Sequence, residues 1–430
     1  METPIYNFSN IPIEKFWSFV DKTIKDTSYI THGYYTYPAK FIPQIAEELI
    51  KTYSQKGDTV VDVFMGSGTT MVEGLIVGRK VIGTDINEIA YLVSKVKTTV
   101  LNTTILGLTY NQIEQFLKNQ ESTAAQTYWQ KAEHIAPQHE RINYWFKPAA
   151  KKVLTYILAI VQEIADKDVK DFYLVVFCQI LKTVSIWLQK SVKPTRDLQK
   201  KDADVSKLFL VQAKKAIKKQ IEFQTLLKKN VGLNIDNLTL LQCEDARFVP
   251  CANETATLVL TSPPYVTSYE YADLHQLPLL WLGHLDELIT YRKKFIGSSF
   301  KQISQKQLHS NLAKTIILQL GNTKKSKEVE TYFGDMYEVF AKCFDILKLK
   351  GKICIVIGNT NFKGVDILNA EVFAEQLTNI GFNISEVICR EIPSKMLPST
   401  RDKITGHFAK TVEMTMLVYP KEYIIIAEKL

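Results

Sequence analysis

Two short stretches hold residue types that could do chemistry together. The first is Asp62-Val-Phe-Met-Gly-Ser-Gly-Thr-Thr70, which follows the apolar, β-branched run from Thr59 and precedes a helical pattern through Met71, Leu75 and Ile76. Gly66 and Gly68 let the backbone approach a ligand closely and turn N–H groups toward it. The stretch is neither the Gly-x-Gly-x-x-Gly dinucleotide fingerprint nor a P-loop, whose lysine it lacks. Asp85 closes the next run, Lys80 to Asp85, where a carboxylate can accept both hydroxyls of a ribose. The second stretch is Thr261-Ser-Pro-Pro-Tyr265, directly after the apolar run Thr257-Leu-Val-Leu260. Its prolines fix the backbone and offer no competing donor, so the Ser262 hydroxyl and a backbone carbonyl can converge on one point. Two such acceptors suit an exocyclic amine. Each takes one amine hydrogen, and the nitrogen lone pair becomes a better nucleophile toward a methyl sulfonium. Tyr265 could stack on a base taken out of the double helix. A glycine turn, an acidic cap and a rigid Pro-Pro turn are each common alone; their combination points to chemistry.

These residues need elements to hold them. Residues 59 to 85 read as a βαβ unit with its helix ending near Gly78. From about Ala90 to Leu238 glycine and proline are scarce and long amphipathic patterns recur, as in Lys151 to Ile164 and Asp171 to Leu188, so this block is expected to be helical. Sheet-like runs return at Thr239 to Cys243, Thr257 to Leu260, Lys352 to Ile357, Ile384 to Cys389 and Glu413 to Val418, with a helix expected from about Tyr332 to Leu347. Alternating strands and helices imply a mainly parallel sheet covered on both faces, its last two strands an antiparallel edge. Pro393 to Lys410 is a candidate loop, and Tyr291 to Lys327 is a second polar stretch rich in Lys, Gln and Ser.

Composition narrows the class. With 46% hydrophobic and 23% charged residues the 430-residue chain is expected to fold rather than remain disordered. The start has no basic and apolar leader, and no apolar run reaches membrane-helix length, so a cytoplasmic protein is expected, associated with the nucleoid if DNA is its partner. The six cysteines are scattered without metal-ligand or disulfide spacing; no metal is expected. Net charge is +8, yet Arg141 to Lys229 alone carries 19 Lys and Arg against 8 Asp and Glu, so the rest of the chain is slightly acidic. Such a segment suits phosphates, though a solvated helix face would look the same.

Taken together, the glycine turn and the Ser-Pro-Pro-Tyr box resemble those of the amino-methyltransferases of restriction-modification systems, which methylate cytosine N4 or adenine N6 in DNA. The resemblance implies a Rossmann-like class I methyltransferase fold, an α/β sheet of seven strands, mainly parallel with an antiparallel last strand, and S-adenosylmethionine as cofactor. By position it implies that Asp62, Phe64, Gly66, Ser67, Gly68 and Thr69 line the methionine pocket, that Asp85 holds the ribose with Ile86 on the adenine, and that Asp245, beside Ala246, reaches the adenine amino group. Tyr37-Pro-Ala-Lys-Phe41 resembles the outlying motif that closes over the cofactor, through Tyr37, Pro38, Lys40 and Phe41. Ser262, Pro263, Pro264 and Tyr265 would be catalytic. Tyr144 to Phe146 and Tyr271 to Gly283 resemble stretches of some cytosine N4 members. Serine in the box favours cytosine N4; the Asp-Pro-Pro-Tyr form is usual for adenine N6. A carbon-5 enzyme needs a nucleophilic Pro-Cys loop, and Pro250-Cys251 follows the third strand rather than the fourth.

The chain departs from the family pattern in one respect. Its large insertion precedes Asp245, where the target-recognition region is not expected. Residues 1–100 and 236–430 then form the catalytic part, and residues 101–235 a basic helical insertion that is the candidate for DNA binding, with Lys190, Lys193, Arg196, Lys200, Lys214 and Lys218 as phosphate contacts. Double-stranded DNA is the expected partner and a cognate restriction endonuclease a second one. An adenine N6 enzyme, an RNA base methyltransferase and a subunit that keeps the fold without catalysis are the competing readings.

Overall fold

The computed structural model describes residues 5–430 except 39, 267–269, 305, 363, 393–399, 403–414 and 418–420, with only the backbone at 236, 400–402 and 415–417. Seven strands make one sheet. They are β1 (Thr59–Asp62), β2 (Lys80–Asp85), β3 (Thr239–Cys243), β4 (Ala256–Thr261), β5 (Leu347–Ile357), β6 (Phe382–Glu391) and β7 (Lys421–Lys429), in the order β3-β2-β1-β4-β5-β7-β6. The first five pair in parallel, while β7 runs antiparallel to both β5 and β6. Strands buried on both faces must be apolar throughout rather than alternating. Accordingly Val60, Val61, Leu258, Val259, Leu260, Ile353 to Ile357 and Ile424 to Ala427 are all buried.

This is the Rossmann-like class I arrangement, with one correction in detail. The closing sheet strand is Lys421–Lys429, not the run from Glu413; of that run, Thr415–Leu417 instead pairs with Thr400–Asp402 in a separate two-stranded ribbon, and residues 413, 414 and 418 lie outside the described residues. As expected, the last two strands pair antiparallel at one edge of the sheet. Within that pair β7 lies inside, between β5 and β6, and its unbroken apolar run, Tyr423 to Ala427, is buried. Most of the expected Pro393 to Lys410 loop falls outside the described residues.

Helices cover both faces: α1 (Pro43–Tyr53), α2 (Thr69–Ile76) and α3 (Glu88–Thr98) in the first half, α9 (Lys324–Ile346) and α10 (Asn369–Ile380) in the second. Every residue of α2 is buried, as befits a helix held between the sheet and its neighbours. Helix α9 starts eight residues before the expected Tyr332, because Thr323 caps it by accepting the Ser326 N–H.

The block after α3 is helical, as its texture indicates: α4 (Thr103–Lys118), α5 (Thr123–Ile135), α6 (Pro148–Gln162), α7 (Lys167–Val184) and α8 (Val205–Asn230). Its apolar faces do not close on themselves. One buried cluster runs from Ile89 and Val93 of α3 through Phe172 and Phe177 of α7 to Leu277 and Trp281, so the block shares its core with the sheet half. Lys95 of α3 bridges to Asp168 and Asp171 at the start of α7.

Candidate active site

The strand order reverses on either side of β1, since β2 and β3 lie to one side and β4 and β5 to the other. A crevice forms beyond the carboxyl ends of the strands at such a switch point. The cleft found there is lined by residues that follow each of the first four strands: Val63, Phe64 and Gly66 after β1, Asp85 and Ile86 around the end of β2, Asp245 and Ala246 after β3, and Ser262 and Pro264 after β4. Tyr37, Tyr271 and the segment Lys294 to Ile296 complete it. Two stretches separated by nearly two hundred residues thus border one space because both terminate neighbouring parallel strands.

The glycine turn is built as a cradle. Gly66 (φ +48°) and Gly68 (φ +74°) occupy the left-handed region, which a side chain disfavours. A Cβ at Gly68 would also lie 2.8 Å from Ser94 Oγ. The Gly66 N–H donates to Asp85 Oδ2 (2.9 Å) and Asn87 N–H to Asp85 Oδ1 (2.9 Å). Each carboxylate oxygen therefore keeps a further lone pair for a ligand hydroxyl. Burial lifts Asp85 to about 6. The buried Ser67 Oγ has no partner among the described protein groups. A buried carboxylate with spare acceptors, an orphaned hydroxyl and Gly66 facing Tyr37 fit the ribose and methionine parts of S-adenosylmethionine.

Other expected cofactor residues serve the frame rather than the cleft. Asp62 is buried and accepts from Phe64 N–H (3.0 Å), Thr261 Oγ1 (2.6 Å) and Thr70 Oγ1 (2.7 Å), which ties β1, β4 and α2 together behind the turn. Its carboxyl, also lifted to about 6 by burial, does not line the cleft. Ser67, Gly68, Thr69, Pro38, Lys40 and Phe41 do not line it either; Phe41 packs on the opposite apolar cluster with Ile45 and Val60. Tyr37 stands over Gly66 with its ring 4.5 Å from that of the buried His275, which desolvation keeps neutral, at about 3.

Several participants carry no sequence signal. Lys97 is fully buried and donates to the Ser67 carbonyl (2.8 Å), bracing the turn from beneath; desolvation pushes its ammonium well below the usual range. Arg247 grips both oxygens of Asp245 through Nε (2.8 Å) and Nη2 (2.8 Å), a bidentate pair that fixes the carboxylate. Tyr332 of α9 donates to the Pro264 carbonyl (2.8 Å), and Tyr265 donates to Glu422 of β7 (2.7 Å). Tyr265 and Pro263 border the cleft's end of β4 without lining it.

The expected phosphate contacts divide. Lys190, Lys193, Lys214 and Lys218 are exposed, and exposed Arg196 lies 4.1 Å over the ring of Tyr144. Lys200 is used internally, donating to the Lys182 (2.9 Å) and Trp187 (2.8 Å) carbonyls. Among the described residues no group of three or more His, Cys, Asp or Glu could hold a metal ion, and no helix is long and apolar enough to cross a membrane.

The sequence matches the DNA methylase family of N6 and N4 methyltransferases over residues 6–96 and 256–429, so the match skips the helical block and β3. Over 425 residues it is 26% identical to the type II methyltransferase M.MvaI of Kocuria varians, covering 93% of this chain and 92% of that protein. The type II methyltransferase M.BsoBI of Geobacillus stearothermophilus is 22% identical over 396 residues, 79% of this chain and 77% of that one. Among solved structures, a putative DNA modification methylase of Thermus thermophilus, complexed with S-adenosyl-L-methionine, shares 18% identity over 43% of this chain and 53% of that chain with a TM-score of 0.21. The family match spans more than half of the chain, and the chain belongs to the N6 and N4 DNA methylases, S-adenosylmethionine-dependent DNA methyltransferases.

Proposed function

We propose that the chain methylates the exocyclic N4 of cytosine in duplex DNA, as the modification partner of a type II restriction endonuclease acting on cytoplasmic, nucleoid DNA. The observation that carries this reading is the placement of Ser262, at the carboxyl end of β4, on the same cleft as Asp85 and the glycine turn. S-adenosylmethionine supplies an electrophilic methyl on sulfonium sulfur. Asp85 binds the ribose, Ile86 and Ala246 border the adenine, and Gly66 with Tyr37 holds the methionine end. The target base leaves the stack, because its amine cannot otherwise be reached, and Tyr265 stacks on it. Ser262 Oγ and the Pro263 carbonyl each accept one amine hydrogen, which aims the lone pair at the methyl carbon. With the cofactor bound, its methyl would pass to the amine so oriented, leaving S-adenosylhomocysteine, and the surplus proton on nitrogen would be lost to solvent, with no covalent bond to the protein. The Pro264 carbonyl, already engaged by Tyr332, is not one of the two acceptors.

The exposed lysines of residues 101–235, with Arg196, support a phosphate-facing role for that block, and the names of the type II relatives support the pairing with a nuclease. Sequencing that discriminates modified bases, applied to DNA from cells expressing the protein, tests the reading. N4-methylcytosine in one recurrent context is the expected result. N6-methyladenine would overturn the choice of base, and unmodified DNA the activity itself.

A further inference from the structure

We infer that Glu422, clamped by Arg390, is a positioning residue for the target base, acting by fixing the ring of Tyr265. The inference rests on the reading of Tyr265 as the residue that stacks on the base.

Three observations converge on that ring. Tyr265 Oη donates to Glu422 Oε1 at 2.7 Å, and the other oxygen, Oε2, accepts from Arg390 Nη1. Arg390 and Glu422 are register partners on β6 and β7, and Arg390 Nε donates to the Trp17 carbonyl (2.7 Å), which fixes the guanidinium from its far side. Finally, Gly358, just past β5, lies close against the ring edge and leaves no room for a side chain: a Cβ there would lie 3.1 Å from Tyr265 Cε2. The ring is thereby held at its hydroxyl and along one edge. The preceding residue is held as well, through the bond from Tyr332 to the Pro264 carbonyl.

The pair is not explained by stability alone. Arg390 is 3% exposed and Glu422 8%, and an ion pair this buried loses in desolvation about what it gains in attraction, so apolar residues would serve the fold as well. Apolar residues could not grip a phenol hydroxyl. A carboxylate can, and a hydrogen bond to an ionised acceptor is short and directional. The carboxylate in turn needs a fixed cation to hold its plane, which Arg390 supplies across the strands. Ordering the ring in the free enzyme removes that cost from the step in which the base is captured.

The test is methyl transfer from tritiated S-adenosylmethionine to unmethylated plasmid DNA by wild type, Tyr265→Phe, Glu422→Gln, the double variant, and Tyr265→Ala as reference. Tyr265→Phe keeps the ring and the ion pair and removes only the shared hydrogen bond, so it carries the test even where Glu422→Gln does not fold. Each single change is expected to lower kcat about tenfold, with the DNA KM and the dissociation constant for S-adenosylhomocysteine within about twofold of wild type. The double variant should be no slower than the slower single one, because both remove one interaction. Wild-type kcat in Tyr265→Phe, with Tyr265→Ala impaired, overturns the inference and leaves the base-stacking reading standing. Losses that multiply in the double variant also overturn it, since Glu422 would then act apart from Tyr265. Wild-type transfer by Tyr265→Ala overturns the stacking reading and this inference together.

Discussion

The cleft at the strand ends and the helical block of residues 101–235 are built by opposite rules. In the cleft, much of the wall lies within four residues of the end of a parallel strand, and backbone geometry dictates the residue types there: glycine where φ is positive, a carboxylate where two N–H groups point, prolines where the backbone must stay rigid. In the helical block the side chains carry the net charge, and the fold consumes part of it. Lys200 and Lys219 donate to backbone carbonyls, Lys147 pairs with Asp202, and Lys182 caps the Ser191 carbonyl. Function that depends on backbone shape survives as a motif. Function that depends on exposed charge survives only as a surface, whose members composition cannot name.

The contrast breaks first if the cleft residues can be changed without loss. Ser262→Ala should lower the methyl transfer rate about a hundredfold, the scale for removing one preorganised polar contact to a reacting centre, while S-adenosylhomocysteine binding measured by calorimetry stays near wild type. Unchanged turnover would move the chemistry away from the carboxyl end of β4. Asp85→Ala should weaken S-adenosylhomocysteine by about thirtyfold to a hundredfold, the loss of hydrogen bonds to a charged acceptor, with little change in DNA affinity.

The same carboxylate gives a pH dependence. Burial raises Asp85 to about 6; above that value it is ionised and, in the proposed role, accepts from both ribose hydroxyls, and below it a proton turns one oxygen into a donor. Cofactor affinity should therefore be full above about pH 7 and decline as pH falls through about 6, a trend that Asp85→Asn should flatten. Unfolding would not mimic it. Asp85 and Asp62 are both raised, so the stability each contributes is fully present below its unfolded-state value and is lost as pH rises through about 6. The two groups favour the folded state on the acid side, where binding weakens.

How far the sequence foretold this follows the same division. Gly66, Asp85, Asp245 and Ser262 were legible because a strand end, a turn and a fixed spacing lie within a few residues of each. Asp62 was legible as a motif residue yet serves as a buried tie between β1, β4 and α2, since nothing in a sequence shows which way a carboxylate at a strand end points. Glu422 and Arg390 lie well over a hundred residues beyond Tyr265 on strands that meet it only through sheet order, and no local pattern announces them. The closing strand was misplaced for a physical reason too. The alternating run at Glu413 looks like a half-buried strand, whereas the sheet takes the uniformly apolar Tyr423 to Ala427, which can bury on both sides.

For the helical block, Lys214, Lys215 and Lys218 are exposed on α8. If they meet phosphates, replacing all three with glutamine should reduce the slope of log affinity against log salt by roughly one for each phosphate no longer neutralised, read from DNA binding titrations at several salt concentrations. An unchanged slope would place the DNA elsewhere on the molecule.

The smallest effect is the sharpest test of the idea that the block spends some charges on itself. Lys200 is half-buried, its ammonium pushed down by desolvation and the nearby Lys182, and it holds the carbonyls that end α7 and begin the following loop. Lys200→Met keeps the stem and removes the donor, which should leave those carbonyls short of a partner and cost about 1 kcal/mol of stability, seen as a small fall in the thermal midpoint. The salt slope of DNA binding should not move. Lys193→Met, at an exposed position in the same loop, should do the reverse: an unchanged midpoint and, if the loop faces phosphates, a shallower slope. Identical behaviour of the two variants would mean that exposure does not separate structural from DNA-facing lysines in this block, and the contrast with the cleft would lose its basis.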